Sequence, residues 1–258
     1  MVTALNNINA YGLCGAAGFL LGIGYLLFAA RVKSEDFSDL VYVYVWAAVG
    51  AVIGAKLLYI LLAVPDIVRG LKGGADPGLY LRSMVSSGFV FYGGLLGALL
   101  AVRTASRYFG LDFCKVAAIL TPALPLAHAL GRVGCAVVGC CYGRETRMCI
   151  GISYTDSMYA PNGIRLFPVQ IIEALADLLI FIVLVFILLK RTDIYAAFGV
   201  FERYLVMYAC VRFLLEFMRG DSVRGHLGWF STSQWISIII LLLVGIQKTS
   251  KIKWYEQE

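Results

Sequence analysis

Apolar positions dominate the chain in long blocks, and short polar stretches separate them. The blocks fall at about 11–30, 40–64, 85–105, 115–138, 167–189, 196–218 and 235–246. A run of about 20 apolar residues makes a helix that spans the hydrocarbon core of a bilayer. The pattern therefore predicts an all-α integral membrane protein with about seven transmembrane helices, forming one polytopic domain over residues 1–258. The opening residues lack the positive flank of a cleavable signal, so the first block is expected to be retained. Pro122 and Pro125 interrupt the fourth block and predict a kinked or broken helix there. Pro65 begins a turn-rich loop with Asp66, Arg69, Lys72, Gly73 and Gly74. Residues 139–166 are too polar to lie in lipid and predict a small cap on the outer face. The glycines Gly93 and Gly94 let a neighbouring backbone come close.

Composition agrees with a membrane setting. Hydrophobic residues make up 60% of the 258 and charged residues only 15%, which excludes an ordinary soluble domain. The net charge of +6 suits anionic lipid and gives no indication of nucleic acid. A small excess of Lys and Arg on one set of loops, including Arg31, Lys33, Arg103, Arg107 and Lys190, places that set in the cytoplasm and the N-terminus outside. The expected location is a bacterial cytoplasmic (inner) membrane.

Against this apolar background the charged positions stand out, because an ionisable group inside a span is expensive. Arg132 lies in HALGRVGCAVVGCCYGR, with His128 one turn before it. Tyr208, Arg212, Glu216 and Arg219 share one helical face, as do Gln170, Glu173 and Asp177. The second stripe is expected to pair with Lys56 or an arginine. Two arginines for one glutamate on the first stripe leave a surplus cation, and Arg132 adds another. Guanidinium groups grip phosphate through parallel hydrogen bonds, so a phospholipid head group is the expected ligand. A purely structural ion network remains the alternative.

There are seven cysteines. Cys14, Cys114 and Cys210 read as small packing residues. Cys135, Cys140, Cys141 and Cys149 cluster without the CxxC spacing of common zinc sites, so neither a metal nor a cofactor is expected.

Several patches together resemble the bacterial prolipoprotein diacylglyceryl transferase family. They are Tyr11 with Gly12, FYGG at Phe91 to Gly94, GRVG at Gly131 to Gly134, Gly143 with Arg144, FPVQIIE at Phe167 to Glu173, RFLLEFMR at Arg212 to Arg219, and Gln234. The resemblance implies seven spans with the N-terminus outside. It also implies transfer of the diacylglyceryl group of phosphatidylglycerol to the lipobox cysteine thiol of a prolipoprotein, releasing glycerol phosphate. The partners would be phosphatidylglycerol or a similar anionic phospholipid and the prolipoprotein signal peptide. Arg132 and Arg212 match the family's essential arginines. Tyr11, Gly143, Glu216 and Arg219 match positions that would shape the lipid pocket. Lys56, Tyr92, Arg144, Gln170 and Glu173 complete the candidate substrate-binding set.

The departures fall on reactive positions. The family's histidine before the glycine pair is Tyr92 here, and its histidine before the proline of the fifth span is Phe167. The asparagine after its GR(I/V)G motif is Cys135, and the acidic residue before the later Gly-Arg is Cys140. His128 is the candidate replacement base. Tyr92 as a hydrogen-bond donor, or a thiol among Cys135, Cys140 and Cys141 as nucleophile, are alternatives. A related transferase with another lipid substrate, or a non-catalytic lipid-binding or assembly protein on the same scaffold, would carry the same pattern.

Overall fold

The computed structural model describes residues 2–74, 76, 78, 88, 90–190, 198–221 and 226–255. The expected beginnings of the third and sixth blocks, 85–87 and 196–197, lie outside them. Among the described residues eight helices follow one another: α1 (Val2–Lys33), α2 (Phe37–Lys72), α3 (Phe91–Tyr108), α4 (Phe113–Leu120), α5 (Ala123–Val138), α6 (Val169–Lys190), α7 (Phe198–Glu216) and α8 (Thr232–Tyr255). Two small antiparallel hairpins accompany them, β1 (Ile152–Ser153) with β2 (Arg165–Leu166) and β3 (His226–Leu227) with β4 (Phe230–Ser231). Among the described residues, four segments are long and apolar enough to cross a membrane: Ala10–Lys33, Phe37–Pro65, Phe113–Val138 and Val169–Lys190. Their outward surfaces carry Leu20, Leu57, Leu61, Leu179 and Ile182, an arrangement stable in hydrocarbon and aggregation-prone in water. The chain is an all-α membrane protein.

The fourth block breaks where its prolines predict. α4 ends at Leu120, a turn occupies Thr121 and Pro122, and α5 starts at Ala123. One expectation is overturned in the second block: α2 runs through Pro65 to Lys72. A proline removes one rung of the ladder, and a long helix tolerates that loss when both flanking turns remain bonded. The single cysteines also depart from expectation, since Cys114 and Cys210 are exposed. On a lipid-facing helix a small apolar group gains little from moving inward, so surface positions suit it.

The chain divides into two compact units, Lys33–Ala117 and the remainder, Met1–Val32 with Ala118–Glu258. In the first, α2 packs on α3. Gly50 and Gly54 face Gly93 and Gly97 so closely that a methyl group at Gly54 would stand 2.9 Å from the Gly97 Cα. Both pairs have the four-residue spacing that lets helix backbones touch in lipid. Lys56 lies 5.3 Å from the Tyr59 ring centre, and Tyr92 sits edge-on to Phe91.

In the other unit α5 packs on α6, α6 on α7, and α7 on α8. Tyr25 of α1 donates a hydrogen bond to Ile119 O at 2.9 Å. α8 begins with a capping box, in which Ser231 N donates to Gln234 Oε1 at 3.0 Å and Gln234 N donates to Ser231 Oγ at 3.3 Å. The family-like Gln234 is thus a helix cap, and its Nε2 also reaches Phe213 O.

Candidate functional site: a buried charge network beside three thiols

α5 and α6 run antiparallel, so a step of four residues forward on one meets a step of four backward on the other. His128 therefore faces Asp177, with Nδ1 3.2 Å from Oδ2, and Arg132 faces Glu173, with Nη2 3.0 Å from Oε1. α7 supplies the third side. Arg212 Nη2 lies 2.6 Å from Glu216 Oε2, and its Nη1 lies 3.8 Å from Glu173 Oε2. Glu173 thus stands between two arginines from different helices. Gln170, Glu173 and Asp177 are fully enclosed, and Arg212 and Glu216 nearly so. The His128 ring meets Tyr208 at 5.1 Å between ring centres, which places Tyr208, Arg212 and Glu216 of α7 on the side facing the network. Arg219, expected on the same helical face, lies beyond the end of α7 at Glu216 and bridges Gly143.

These pairings bear out one expectation and revise another. The stripe of Gln170, Glu173 and Asp177 meets arginine through Glu173, while its Asp177 meets His128. The expected surplus of cations is not found among the described residues of the network, because Arg132 has Glu173, Arg212 has Glu216 and Glu173, and Arg219 has Asp221 in a two-pronged bridge of 2.9 and 3.1 Å. Counting charge along α7 alone missed the carboxylates that folding brings from α6 and from beyond the α7 end. Pairing lowers the cost of burial and fixes each guanidinium, yet among the described residues Arg132 Nε and Arg212 Nη1 are buried without a hydrogen-bond partner. Ser233 Oγ at the start of α8 accepts from Arg212 Nη2 at 3.3 Å.

The chain then passes from α5 into the cap. Gly139 ends α5 in the left-handed conformation at φ 84° and donates to Cys135 O at 2.9 Å, a common helix stop. The cap satisfies other carbonyls at that end: Tyr154 Oη donates to Ala136 O at 2.8 Å and Ser157 Oγ to Val138 O at 3.0 Å. Burial raises the pKa of the Tyr154 phenol and keeps it a donor. Cys141 is also left-handed, at φ 57°, a conformation that costs a non-glycine residue roughly 1–2 kcal/mol. The two reversals fold Cys140 and Cys141 back onto Cys135, and the three sulfur atoms lie within 4.8 Å of one another. Hydrogen bonds from Cys135 and Cys140 pull the Cys141 thiol pKa well down, aided by Arg219 and Arg132, while the bond with Cys135 holds Cys140 well up. Cys149 is exposed and stands outside this group.

Gly143 and Arg144 thread this segment between two helix ends. Gly143 bridges Arg219, Arg144 N donates to Met218 O at 2.9 Å, Gly220 N to Tyr142 O at 3.0 Å, and Phe167 N to Arg144 O at 2.8 Å. A methyl group on Gly143 would fall on Phe167 O, so only glycine fits there. The Arg144 side chain is exposed, with Nε donating to Arg219 O at 3.3 Å. Gln170 Nε2 donates to Cys140 O at 2.9 Å. Tyr11 lies against Gly134, where a methyl group would stand 3.0 Å from its ring. Burial pushes the Asp221 carboxyl pKa up, although Arg219 pulls it the other way.

Tyr11, His128, Arg132, Gly143, Arg144, Gln170, Glu173, Arg212, Glu216 and Arg219 thus belong to one unit. Lys56 and Tyr92 belong to the other. Sequence reasoning passed over Asp177 as the partner of His128, and Asp221 altogether. The repeated spacing of four on both stripes was the available signal for the first. For Asp221 the signal was its place two residues after Arg219.

Comparison with known proteins covers nearly the whole chain. The family model described as prolipoprotein diacylglyceryl transferase matches residues 2–247. The chain is similar to the phosphatidylglycerol–prolipoprotein diacylglyceryl transferase of Clostridium tetani, with 31% identity over 92% of this chain and 90% of that one. It is 32% identical to the second such transferase of Clostridium perfringens, over 87% of this chain and 86% of that one. The Finegoldia magna transferase is 27% identical over 92% of this chain and 88% of its own length. A match that begins in α1 and ends in α8 takes in every element of the charge network, and the chain belongs to the prolipoprotein diacylglyceryl transferase family.

Proposed function

We propose that this protein transfers the diacylglyceryl group of phosphatidylglycerol to the lipobox cysteine thiol at the end of a prolipoprotein signal peptide. It would do so in a bacterial inner membrane with its N-terminus outside. The observation that carries the reading is the Arg132–Glu173–Arg212 array, buried inside a chain that matches the family along its length.

The reaction is a displacement at carbon. The thiol sulfur forms a bond to the glyceryl carbon that bears the phosphate, the carbon–oxygen bond breaks, and glycerol phosphate leaves with the electron pair. Negative charge gathers on the phosphate as it departs. Arg132 Nε and Arg212 Nη1 are donors with capacity to receive it, and donors already held in place stabilise such charge without reorganising. The thiol must lose its proton to attack well. His128 takes that proton, and Asp177, beside Nδ1, orients the ring and stabilises its charged form. Glu173 and Glu216 aim the arginines, Tyr11 and Gly143 shape the adjoining wall, and Arg219, Arg144 and Gln170 hold the cap segment in position.

The test is incubation of the purified protein with labelled phosphatidylglycerol and a lipobox peptide. The expected result is a thioether-linked diacylglyceryl peptide and an equal amount of glycerol phosphate, both collapsing in Arg132→Ala and Arg212→Ala. Since every described arginine of the network has an acidic partner, a static ion lattice in a lipid-binding protein is the competing reading. Phosphatidylglycerol binding without transfer by the wild-type protein would favour it.

A further inference from the structure

We propose that Cys135, Cys140 and Cys141 form a three-thiolate site for a soft, thiophilic cation of the Zn2+ class. Along the chain these residues read C-x4-C-C, which is not a metal motif. Folding makes it one, because the left-handed Gly139 and Cys141 turn the chain back over the end of α5. All three sulfur atoms then lie within 4.8 Å of one another. Thiolates bound to zinc at about 2.3 Å stand roughly 3.8 Å apart in a tetrahedron, so closure onto an ion needs only side-chain rotation.

Three further observations support the site. All three thiols are free of disulfides, and Cys135 is buried while the other two are partly accessible, which leaves an entry path. Hydrogen bonds anchor the surrounding backbone: Gln170 holds Cys140 O, and Gly139 N holds Cys135 O. Charge is also accommodated. Three thiolates and one divalent ion carry a net charge of −1, and Arg132 acts electrostatically on Cys135 and Cys141 while Arg219 acts on Cys141. A thiolate set selects soft ions over Mg2+ or Ca2+. Three ligands with one open position would leave room for water or an anionic oxygen.

The experiment is a Cd2+ titration of the reduced full-length protein in detergent, followed by sulfur-to-cadmium charge-transfer absorption, with Zn2+ as competitor. The expected result is saturation at one ion per chain with an intensity of three thiolates, and displacement by Zn2+. Cys135→Ser, Cys140→Ser and Cys141→Ser should each weaken binding at least about 100-fold, the upper end of what loss of a merely supporting group costs. A variant with Cys14, Cys114, Cys149 and Cys210 all replaced by Ser should bind as the wild type does. A second measurement uses the wild-type protein alone: Zn2+ should protect Cys135, Cys140 and Cys141 from alkylation and leave Cys149 reactive. No saturating one-to-one complex, binding that survives Cys140→Ser, or protection that falls elsewhere would overturn the proposal. Loss of transfer activity would not bear on it, so its failure is distinguishable from failure of the proposed reaction.

Discussion

The two units solve the problem of a membrane interior in opposite ways. Between α2 and α3 glycine lets backbone meet backbone, with Gly50 and Gly54 set against Gly93 and Gly97. Between α5, α6 and α7 there is an ion network of His128, Arg132, Glu173, Asp177, Arg212 and Glu216. Glycine packing uses dispersion and leaves nothing to desolvate. A charge network returns at best what dehydration costs, so stability alone does not account for it. The contrast teaches where to look for chemistry: in the unit whose interior is expensive.

Substitutions can break or sharpen this contrast. The largest effect is expected from Arg132→Ala and Arg212→Ala, which should each lower kcat for diacylglyceryl transfer by about 10³-fold, as removal of a charge-stabilising donor does elsewhere. Each also strands a buried carboxylate. Unfolding measured alongside activity should therefore show a loss of about 3–5 kcal/mol, with part of it recovered in Arg132→Ala combined with Glu173→Ala. Next, His128→Ala should lower kcat by about 10²-fold with little change in the binding of phosphatidylglycerol vesicles. Equal activity in this variant would remove His128 as the base. In the glycine-packed unit, Gly54→Val should cost about 1–3 kcal/mol of stability by overpacking, read as a lower Tm in detergent, and should leave the Cd2+ titration unchanged. The smallest effect belongs to Ser231→Ala, about 1 kcal/mol from loss of the α8 cap, read by the same thermal scan.

Much of this arrangement was legible in the order of residues. Helix positions followed from apolar blocks, the break between α4 and α5 from Pro122, and the stripes Gln170–Glu173–Asp177 and Tyr208–Arg212–Glu216 from spacings of three and four, although the helix stops before Arg219. The partners were not legible, because they come from other helices. Glu173 could be placed on a face, but nothing local said that Arg132 and Arg212 would meet it from two sides. Pro65 misled, since a proline reads as a boundary and α2 continues past it. The thiol group was hidden for a different reason. Its linear spacing carries no periodicity, and it depends on a left-handed backbone at Cys141, a conformation that a cysteine in the sequence does not announce.

The opening turn of α8 has a mechanical consequence. Ser233 touches Arg212, and the neighbouring Gln234 reaches the Phe213 carbonyl. The last helix thus grips the very turn of α7 that aims one of the two guanidiniums. If the array works as proposed, tilt of that helix is expected to shift the Arg212 guanidinium, and transfer measured in vesicles should then vary with bilayer thickness.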